Sequence, residues 1–457
     1  MKRSLCVLVL IFAVNAVVAQ NAYTSEQVKS DMLYLKEALE GAHYDLYAYT
    51  TREDFESNFE KVRGEIKGDS LSELEARSLF QRVVAKADIG HTSIDFPFTS
   101  YMRYAENGGT LFPLELAFES GQYWVRKNWS AVEEIEVGTE LLSINGRPIE
   151  DIVEEISLHI SAERAYLKLA KIELYSFPRL YWQVFGEQEG FEIEVRSKEG
   201  IRKYMLEAVE LIGGYEMKRN EIIDSQLTLE FLQQSAYLNP GSFSGDEPAY
   251  RQFIDSAFIE IKKKNSQNLI IDLRNNGGGD NSFSDYLLAY VADRPFQWNS
   301  AFSLKTSSIL KDHVRQRYDT TEAYWREVFV HENGEIYDFD FEDCEPRPKE
   351  ERFMGDVYVL VNRQSHSQAA VTASQFQDYG WATIVGEETG DYPSLYASVF
   401  RFALPQTQIE VQVSKGYMVR VNGSEKPEGV IPDILIRDHL LDEEDEILDG
   451  LLQKLND

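Results

Sequence analysis

The strongest constraint on the fold is a series of short strand-like runs in the second half of the chain, of which 357–361 is hydrophobic throughout and 269–273 is apolar except for Asp272. They lie at 269–273, 357–361, 382–385 and 409–413, with a helical pattern at 369–379. Strands that lack alternating polar residues are typical of parallel sheets covered by helices on both faces. Because such strands alternate with helices here, the sequence predicts an α/β core.

The first half of the chain has two other patterns. Residues 20–100 have apolar side chains at helical spacing and end in a polar turn around His91, which predicts an N-terminal helical domain. Between 105 and 200 the period shortens towards two, so we expect a small β-rich module, interrupted by one helical stretch at 163–185. Residues 205–457 then form the α/β core. A chain of 457 residues is long enough for two or three such domains.

The N-terminus has the pattern of a secretory signal peptide. Lys2 and Arg3 precede an apolar run that ends at Ala19, and this run is shorter than the roughly 20 residues that span a bilayer. We expect removal of 1–19, cleavage before Gln20, and export to the periplasm or the medium without stable membrane insertion. Retention of the segment as a signal anchor is the alternative.

Composition and motifs disfavour several classes of function. The 77 acidic and 46 basic residues give a net charge of −31, which repels nucleic-acid phosphates and anionic lipid headgroups. The seven histidines form no HExxH motif and no pair at metal-ligand spacing. Neither GxGxxG nor a P-loop motif occurs. We therefore expect no nucleic-acid partner, no metal and no cofactor.

A strand-to-helix junction supplies a candidate nucleophile. The apolar run 357–361 leads through a short polar turn into a helix that begins near Gln368, so Ser367 lies at the helix N-terminus. Free N–H groups there stabilise developing negative charge. The alternative is that Ser365 or Ser367 merely caps the helix, which serine does often.

Two further loops supply candidate partners for this serine. The run 269–273 leads into Gly277, Gly278 and Gly279, whose N–H groups are suited to stabilising an oxyanion, although a tight turn explains them too. His91 lies in a polar turn after a helix and is a candidate general base. A structural or surface role is the alternative for this histidine.

In combination these loops resemble the tail-specific, or carboxy-terminal-processing, serine peptidase family, and within it the tricorn-core-like branch that uses serine and histidine. The similar segments follow one another in register over most of the mature chain. They are 88–92, 138–149, 272–279, 365–370, 385–390, 404–405 and 429–434.

The resemblance implies a catalytic machinery residue by residue. Ser367 is the nucleophile and His91 its base. The N–H groups of Gln368 and of Gly277 or Gly278 form the oxyanion hole. The resemblance also implies a ClpP/crotonase-like core of β-β-α units, in which 205–457 is catalytic, and a PDZ-like module at 105–200 that receives an extended peptide end by strand addition.

Two departures from the family pattern bear on the site. The Ser/Lys branch has a lysine in the turn where this chain has 389–393, Thr-Gly-Asp-Tyr-Pro, so a Ser/Lys dyad is not expected. In the tricorn-like branch a glutamate before Gly-Val-x-Pro-Asp orients the histidine. Here Lys426 stands near that place, with Glu425 and Glu428 on either side. Glu425 is the candidate, and Glu428 or no third residue are the alternatives.

The function predicted from these features is that of a secreted serine endopeptidase that cleaves peptides or protein tails through an acyl-enzyme. Its partners are then peptide or unfolded protein substrates. The alternatives are a catalytically lapsed peptide-binding protein of the same fold, and an esterase or amidase that acts on small acyl compounds. The sequence leaves open the substrate, the oligomeric state and the role of 299–352.

Overall fold

The N-terminal part of the protein is a layer of helices. The computed structural model describes residues 22–198, 200–223, 226–441 and 444–456, so the predicted signal peptide 1–19 lies outside the described residues. The elements are β1 (Ala22–Thr24), α1 (Ser25–Ala42), α2 (Arg52–Arg63), β2 (Ser70–Ser72), α3 (Glu73–Ala85) and α4 (Phe98–Glu106). Reciprocal side-chain caps fix the starts of α1 at Thr24 and of α3 at Ser72.

The middle of the chain forms an antiparallel sheet with three helices. Its elements are β3 (Thr110–Leu111), β4 (Leu114–Glu119), β5 (Gln122–Asn128), β6 (Glu140–Ile144), β7 (Arg147–Pro148), α5 (Ile149–Ser157), α6 (Ala165–Tyr175), α7 (Phe177–Phe185), β8 (Gly190–Ser197), β9 (Gly200–Glu207) and β10 (Val209–Glu210), followed by a π-helical turn at Leu211–Glu216. The sheet order is β4-β5-β6-β8-β9, and β7 pairs with β6.

The predicted helical stretch 163–185 is helical over Ala165–Tyr175 and Phe177–Phe185, and it is divided into two helices. Ser176 separates α6 from α7, with a φ of 85°. Its side chain caps α7 by accepting a hydrogen bond from Arg179 N–H, and Pro178 lies in the first turn. Serine before a proline is a helix-start signal, so the sequence did contain the break.

The C-terminal part contains strands and helices in alternation. They are β11 (Leu227–Leu232), β12 (Ser235–Pro240), α8 (Glu247–Lys264), β13 (Asn268–Asp272), α9 (Asn281–Leu288), β14 (Ala301–Lys305), α10 (Ser308–Arg317), α11 (Ala323–Val330), β15 (Ile336–Asp338), β16 (Asp356–Val361), α12 (Gln368–Tyr379), β17 (Thr383–Gly386), β18 (Leu395–Ala403), β19 (Glu410–Val419), β20 (Ile434–Leu435) and α13 (Glu446–Asn456).

A central six-stranded sheet has the order β11-β12-β13-β16-β17-β20. All of its pairings are parallel except that of β11 with β12. The apolar residues of β13 and β16 are fully or almost fully buried, as expected when both faces of a sheet are covered. The predicted α/β class is confirmed. Because parallel strands end at the same edge, the loops after β13, β16 and β17 lie together.

A second, antiparallel sheet has the order β15-β14-β19-β18. The segment 299–352, whose role the sequence left open, supplies β14, β15, α10 and α11. Apolar residues of α10 share one hydrophobic core with the N-terminal helices and with β18 and β19. Within the described residues, no helix has the length and apolar character that crossing a membrane requires.

Candidate active site

Ser367 lies where β16 has ended and α12 begins. Its backbone has φ 50° and ψ −123°, a conformation that costs a non-glycine residue about 1–3 kcal/mol. The Ser367 N–H donates to Asp391 Oδ2 at 2.5 Å, which holds the backbone in place. Ser367 occupies the cap position of α12, but its side chain makes no capping hydrogen bond. The hydroxyl is therefore left for another role.

Ser365 has a structural role in the same loop. It is fully buried, and its hydroxyl donates to the Leu273 carbonyl at 2.8 Å and accepts from the Asn362 N–H at 3.1 Å. These bonds tie the ends of β13 and β16 together. The loop that carries Ser367 is thus fixed to the loop that carries the glycines.

Gly278 packs directly against the start of α12. Its φ is 84°, and a Cβ there would lie 2.7 Å from Gln368 N and from Ser367 Cβ. Only glycine allows this approach. The Gly278 N–H is already used, because it donates to Asn276 Oδ1 at 2.8 Å.

The backbone of Gly279 lies beside Phe243, and its own N–H and C=O groups face away from that residue. Phe243 N–H donates to the Gly278 carbonyl at 3.1 Å, and Asp280 N–H donates to the Phe243 carbonyl at 2.7 Å. In a parallel bridge of this kind, the N–H and C=O of Gly279 point away from Phe243. A Cβ on Gly279 would lie 1.9 Å from the Phe243 carbonyl oxygen, so this position requires glycine as well. Gly277 is less crowded, with only Ile223 Cδ1 near an added Cβ, at 3.8 Å.

His91 lies in the turn after α3, and this turn is bonded to β19. Gln412 Nε2 donates to the His91 carbonyl at 3.0 Å. The imidazole Nδ1 is buried without a hydrogen-bond partner among the described residues. Burial lowers the pKa of His91, and the charge of Asp391 opposes part of that shift. The lowered pKa favours the neutral imidazole, which is the form that a general base requires.

A cavity of about 410 Å³ brings these groups together. Its lining includes His91, Gly279, Ser367 and Gln368, which come from three separate stretches of sequence. The aromatic part of the wall comes mainly from the segment between β13 and β16. It consists of Trp298, Phe302, Tyr324, Trp325 and Phe341.

The carboxylate that interacts with His91 is Asp391. Burial alone would raise the pKa of Asp391, but the charges of His91, His366 and Lys171 lower it below its usual value. Asp391 follows β17 just as Ser367 follows β16, so both lie at the same sheet edge. That placement was the available signal for Asp391, which the sequence analysis had used only to argue against a lysine.

Glu163 is a second carboxylate close to the His91 loop. It accepts a hydrogen bond from Gly90 N–H at 2.8 Å. Burial first, and then the charge of Asp391, raise the pKa of Glu163 to about 7, while Lys171 opposes the shift. The sequence analysis did not single out this glutamate.

Glu425 and Glu428 lie elsewhere. Glu425 is exposed, and its carboxylate accepts a hydrogen bond from the Tyr417 hydroxyl at 2.9 Å. Glu428 lies 3.7 Å from the exposed Lys426 ammonium. The structure brings Ser367, His91, Gln368 and Gly279 to one cavity but does not bring Glu425 to them.

Helix α6 connects the histidine loop with the serine loop. Lys171 Nζ donates to the Gly90 carbonyl at 2.9 Å, beside His91. At the other loop, Arg363 Nε donates to Glu173 at 2.7 Å. Gln364 Nε2 donates to the α6 carbonyl of residue 170 at 2.9 Å. The middle module therefore sets the relative position of the His91 loop and the Ser367 loop.

A comparison with protein families supports a serine-type peptidase. Residues 234–436 match the model of peptidase family S41, so the chain carries a domain of that family. The sequence-based identification of a tail-specific serine peptidase is thereby confirmed.

Solved structures share the fold over nearly the whole chain. Mature CPAF complexed with lactacystin superposes with a TM-score of 0.66 at 15% identity, over 94% of this chain and 97% of that chain. A crystal structure of mature CPAF gives a TM-score of 0.60 at 16% identity, over 90% of this chain and 92% of that chain. At these identities the likeness concerns the fold.

Proposed function

We propose that the protein is an exported serine endopeptidase that cleaves peptides or unfolded protein tails through a Ser367/His91 acyl-enzyme. The observation that carries this proposal is the cavity that holds Ser367, His91, Gln368 and Gly279 together. The signal-like sequence of 1–19 supports export. The antiparallel sheet within 105–200 suits a PDZ-like module that receives an extended peptide end.

His91 acts first as base and then as acid. Its imidazole removes the Ser367 hydroxyl proton while the oxygen attacks the peptide carbonyl carbon. When the tetrahedral intermediate collapses, the imidazolium returns this proton to the leaving amine and the acyl-enzyme remains. A water molecule, deprotonated by the same imidazole, then attacks the ester, and Ser367 regains its proton as the carboxylic acid leaves.

The oxyanion of each tetrahedral intermediate is stabilised by the N–H groups of Gln368 and Gly279. Gln368 is the first residue of α12, where N–H groups lack intrahelical acceptors. Gly279 replaces Gly278 in this role because the Gly278 N–H donates to Asn276. Such donors each contribute about 3–4 kcal/mol to transition-state stabilisation. The negative charge of Asp391 stabilises the imidazolium of His91.

The test is labelling with a fluorophosphonate probe, followed by mass-spectrometric mapping of the modified residue. We expect labelling of the wild-type protein at Ser367, none in Ser367→Ala, and a rate lower by about 10²–10⁴ in His91→Gln. Ser365→Ala is run beside them because Ser365 is the other serine of this turn; labelling at Ser367 that survives loss of the Ser365 hydroxyl assigns the nucleophile to Ser367. A folded protein that is not labelled would instead favour the lapsed, peptide-binding alternative.

A further inference from the structure

A buried lysine lies in the wall of the catalytic cavity. Lys415 is on β19, is 2% exposed, and lines the same cavity as Ser367. The mechanism above does not use it. Its ammonium donates to the Ser398 carbonyl at 2.8 Å and to the Ser398 hydroxyl at 2.6 Å. Because an ammonium has three N–H donors, these two bonds leave one donor unused.

The Lys415 ammonium is surrounded by an irregular strand position, two hydroxyl groups and two aromatic rings. Ser398 has a φ of 55°, in the left-handed region, and the β18–β19 ladder skips the pair it would form with Lys415. The Tyr324 hydroxyl bonds to the Ser398 hydroxyl at 2.9 Å. The rings of Tyr324 and Trp325 lie 5.6 and 5.5 Å from Lys415 Nζ. The lysine is thus held by neutral oxygens and aromatic rings.

No described carboxylate lies within ion-pair distance of Lys415. This is unusual in a chain with 77 acidic residues, since a buried lysine is normally paired. Burial lowers the pKa of Lys415 to about 7. The other titratable groups that line the cavity are His91, Asp280 and Tyr324, and Asp280 accepts a hydrogen bond from Ser282 N–H. His313 also interacts electrostatically with the lysine.

We propose that Lys415 binds a carboxylate of the substrate, so that the peptidase selects peptides with an acidic group close to the scissile bond. This inference rests on the proposed function. Two sources supply the same chemistry: the side chain of an aspartate or glutamate residue, and the free α-carboxylate of a peptide end. In both cases the substrate carboxylate forms the ion pair that Lys415 lacks among the described residues. The aromatic wall of the cavity excludes water from this ion pair.

The first experiment compares turnover of three matched peptides. The first carries glutamine near the cleaved bond and an amidated end, the second has glutamate in place of glutamine, and the third has glutamine with a free carboxyl end. We expect wild-type kcat/KM to be higher by about 10- to 100-fold for one of the two acidic peptides. That ratio should fall to about 1 in Lys415→Met and persist in Lys454→Met, which changes an exposed lysine on α13.

Equal turnover of all three peptides by the wild-type protein would overturn the proposal, as would an acid preference that survives Lys415→Met. Preference for the glutamate peptide assigns the site to an acidic side chain. Preference for the free-ended peptide assigns it to the α-carboxylate.

A second experiment measures binding in Ser367→Ala, so it does not depend on turnover. Isothermal titration at about pH 8, in two buffers of different ionisation enthalpy, counts the protons taken up. A lysine with a pKa of about 7 is mostly neutral there and must gain a proton to pair with a carboxylate. We expect uptake approaching one proton with the preferred acidic peptide and none with the neutral one.

The two experiments separate two kinds of failure. Carboxylate-selective binding with proton uptake, but no labelling of Ser367 in the wild-type protein, would refute the peptidase mechanism and keep the lysine site. Turnover without proton uptake or acid preference would refute the site and keep the mechanism. Proton uptake is measured with Lys415 intact, so the test stands even where Lys415→Met fails to fold.

Discussion

Replacing Asp391 with asparagine tests the interactions of this carboxylate with Ser367 and with His91. The substitution keeps the shape of the side chain and removes its charge. In the structure this carboxylate is 5% exposed, accepts the Ser367 N–H at 2.5 Å and interacts electrostatically with His91. It therefore acts on the nucleophile and on the base at once. We expect Asp391→Asn to slow acylation of the serine strongly while the fold is kept.

The size of the effect follows from these two interactions. A hydrogen bond to a charged group contributes about 1.5–3 kcal/mol, which is comparable to the cost of the Ser367 backbone conformation. The carboxylate also stabilises the imidazolium that forms as the serine proton is transferred. A loss of about 3–5 kcal/mol from the transition state corresponds to a rate lower by about 10²–10⁴.

The pH profile gives an independent readout. The charge of Asp391 raises the pKa of His91 and so opposes the effect of burial. Without that charge the pKa of His91 falls further. Because the base must be neutral to act, the acidic limb of the rate profile should move to lower pH in Asp391→Asn.

The assay is the second-order rate constant of fluorophosphonate labelling, measured across the acidic and neutral pH range. Glu425→Gln is the matched control, because Glu425 is exposed and bonded only to Tyr417. We expect this variant to label within about threefold of the wild-type rate. Asp391→Asn with a wild-type rate and acidic limb would refute the role of Asp391, and a large loss in Glu425→Gln would restore Glu425 as the residue that orients the histidine.

Three further predictions concern the loops around the site. Glu173→Gln removes the carboxylate that pairs with the buried Arg363, so urea titration should show a free energy of unfolding lower by about 3–5 kcal/mol. A decrease of less than about 1 kcal/mol would contradict this prediction. Burial raises the pKa of Glu387 to about 7, so its contribution to the free energy of unfolding is present below pH 4.5 and is lost as the pH rises through 7. In Glu387→Gln the free energy of unfolding should therefore depend less on pH in this range. A pH dependence equal to that of the wild-type protein would contradict this prediction. In Gly279→Ala the new Cβ would lie 1.9 Å from the Phe243 carbonyl oxygen, so the backbone at residue 279 must shift. We expect labelling of the serine to fall by about 10² or more in a protein that circular dichroism shows to be folded. Labelling at the wild-type rate would argue against Gly279 as an oxyanion donor.

The elements that carry the nucleophile and the glycines were predictable because their patterns are local. The apolar run predicted at 269–273 is β13 at Asn268–Asp272, and the run at 357–361 is β16 at Asp356–Val361. The helix expected near Gln368 begins at that residue. Consecutive apolar residues, a polar turn and a helix start are all readable within about ten residues of sequence.

The groups that surround the catalytic pair were not predictable in the same way. Asp391 contacts Ser367 across 24 residues, and Glu163 contacts Gly90 across 73. The pairing of Lys415 with Ser398 depends on a left-handed residue within a strand. Such contacts are decided by how strands and helices pack, and no local pattern encodes them. Export and the catalytic roles of individual residues stay predictions.

Helix α6 bonds to both the His91 loop and the Ser367 loop. This connection determines how much of the chain the proposed activity requires. The matched family domain, 234–436, contains Ser367, whereas His91 and α6 both lie before it in the chain. Cut out on its own, that domain would contain the proposed nucleophile and lack the proposed base. Residues 22–198 contain His91 together with α6, which bonds to the His91 loop and to the Ser367 loop. Under the proposed mechanism, activity therefore requires α6 to hold the His91 loop and the Ser367 loop together.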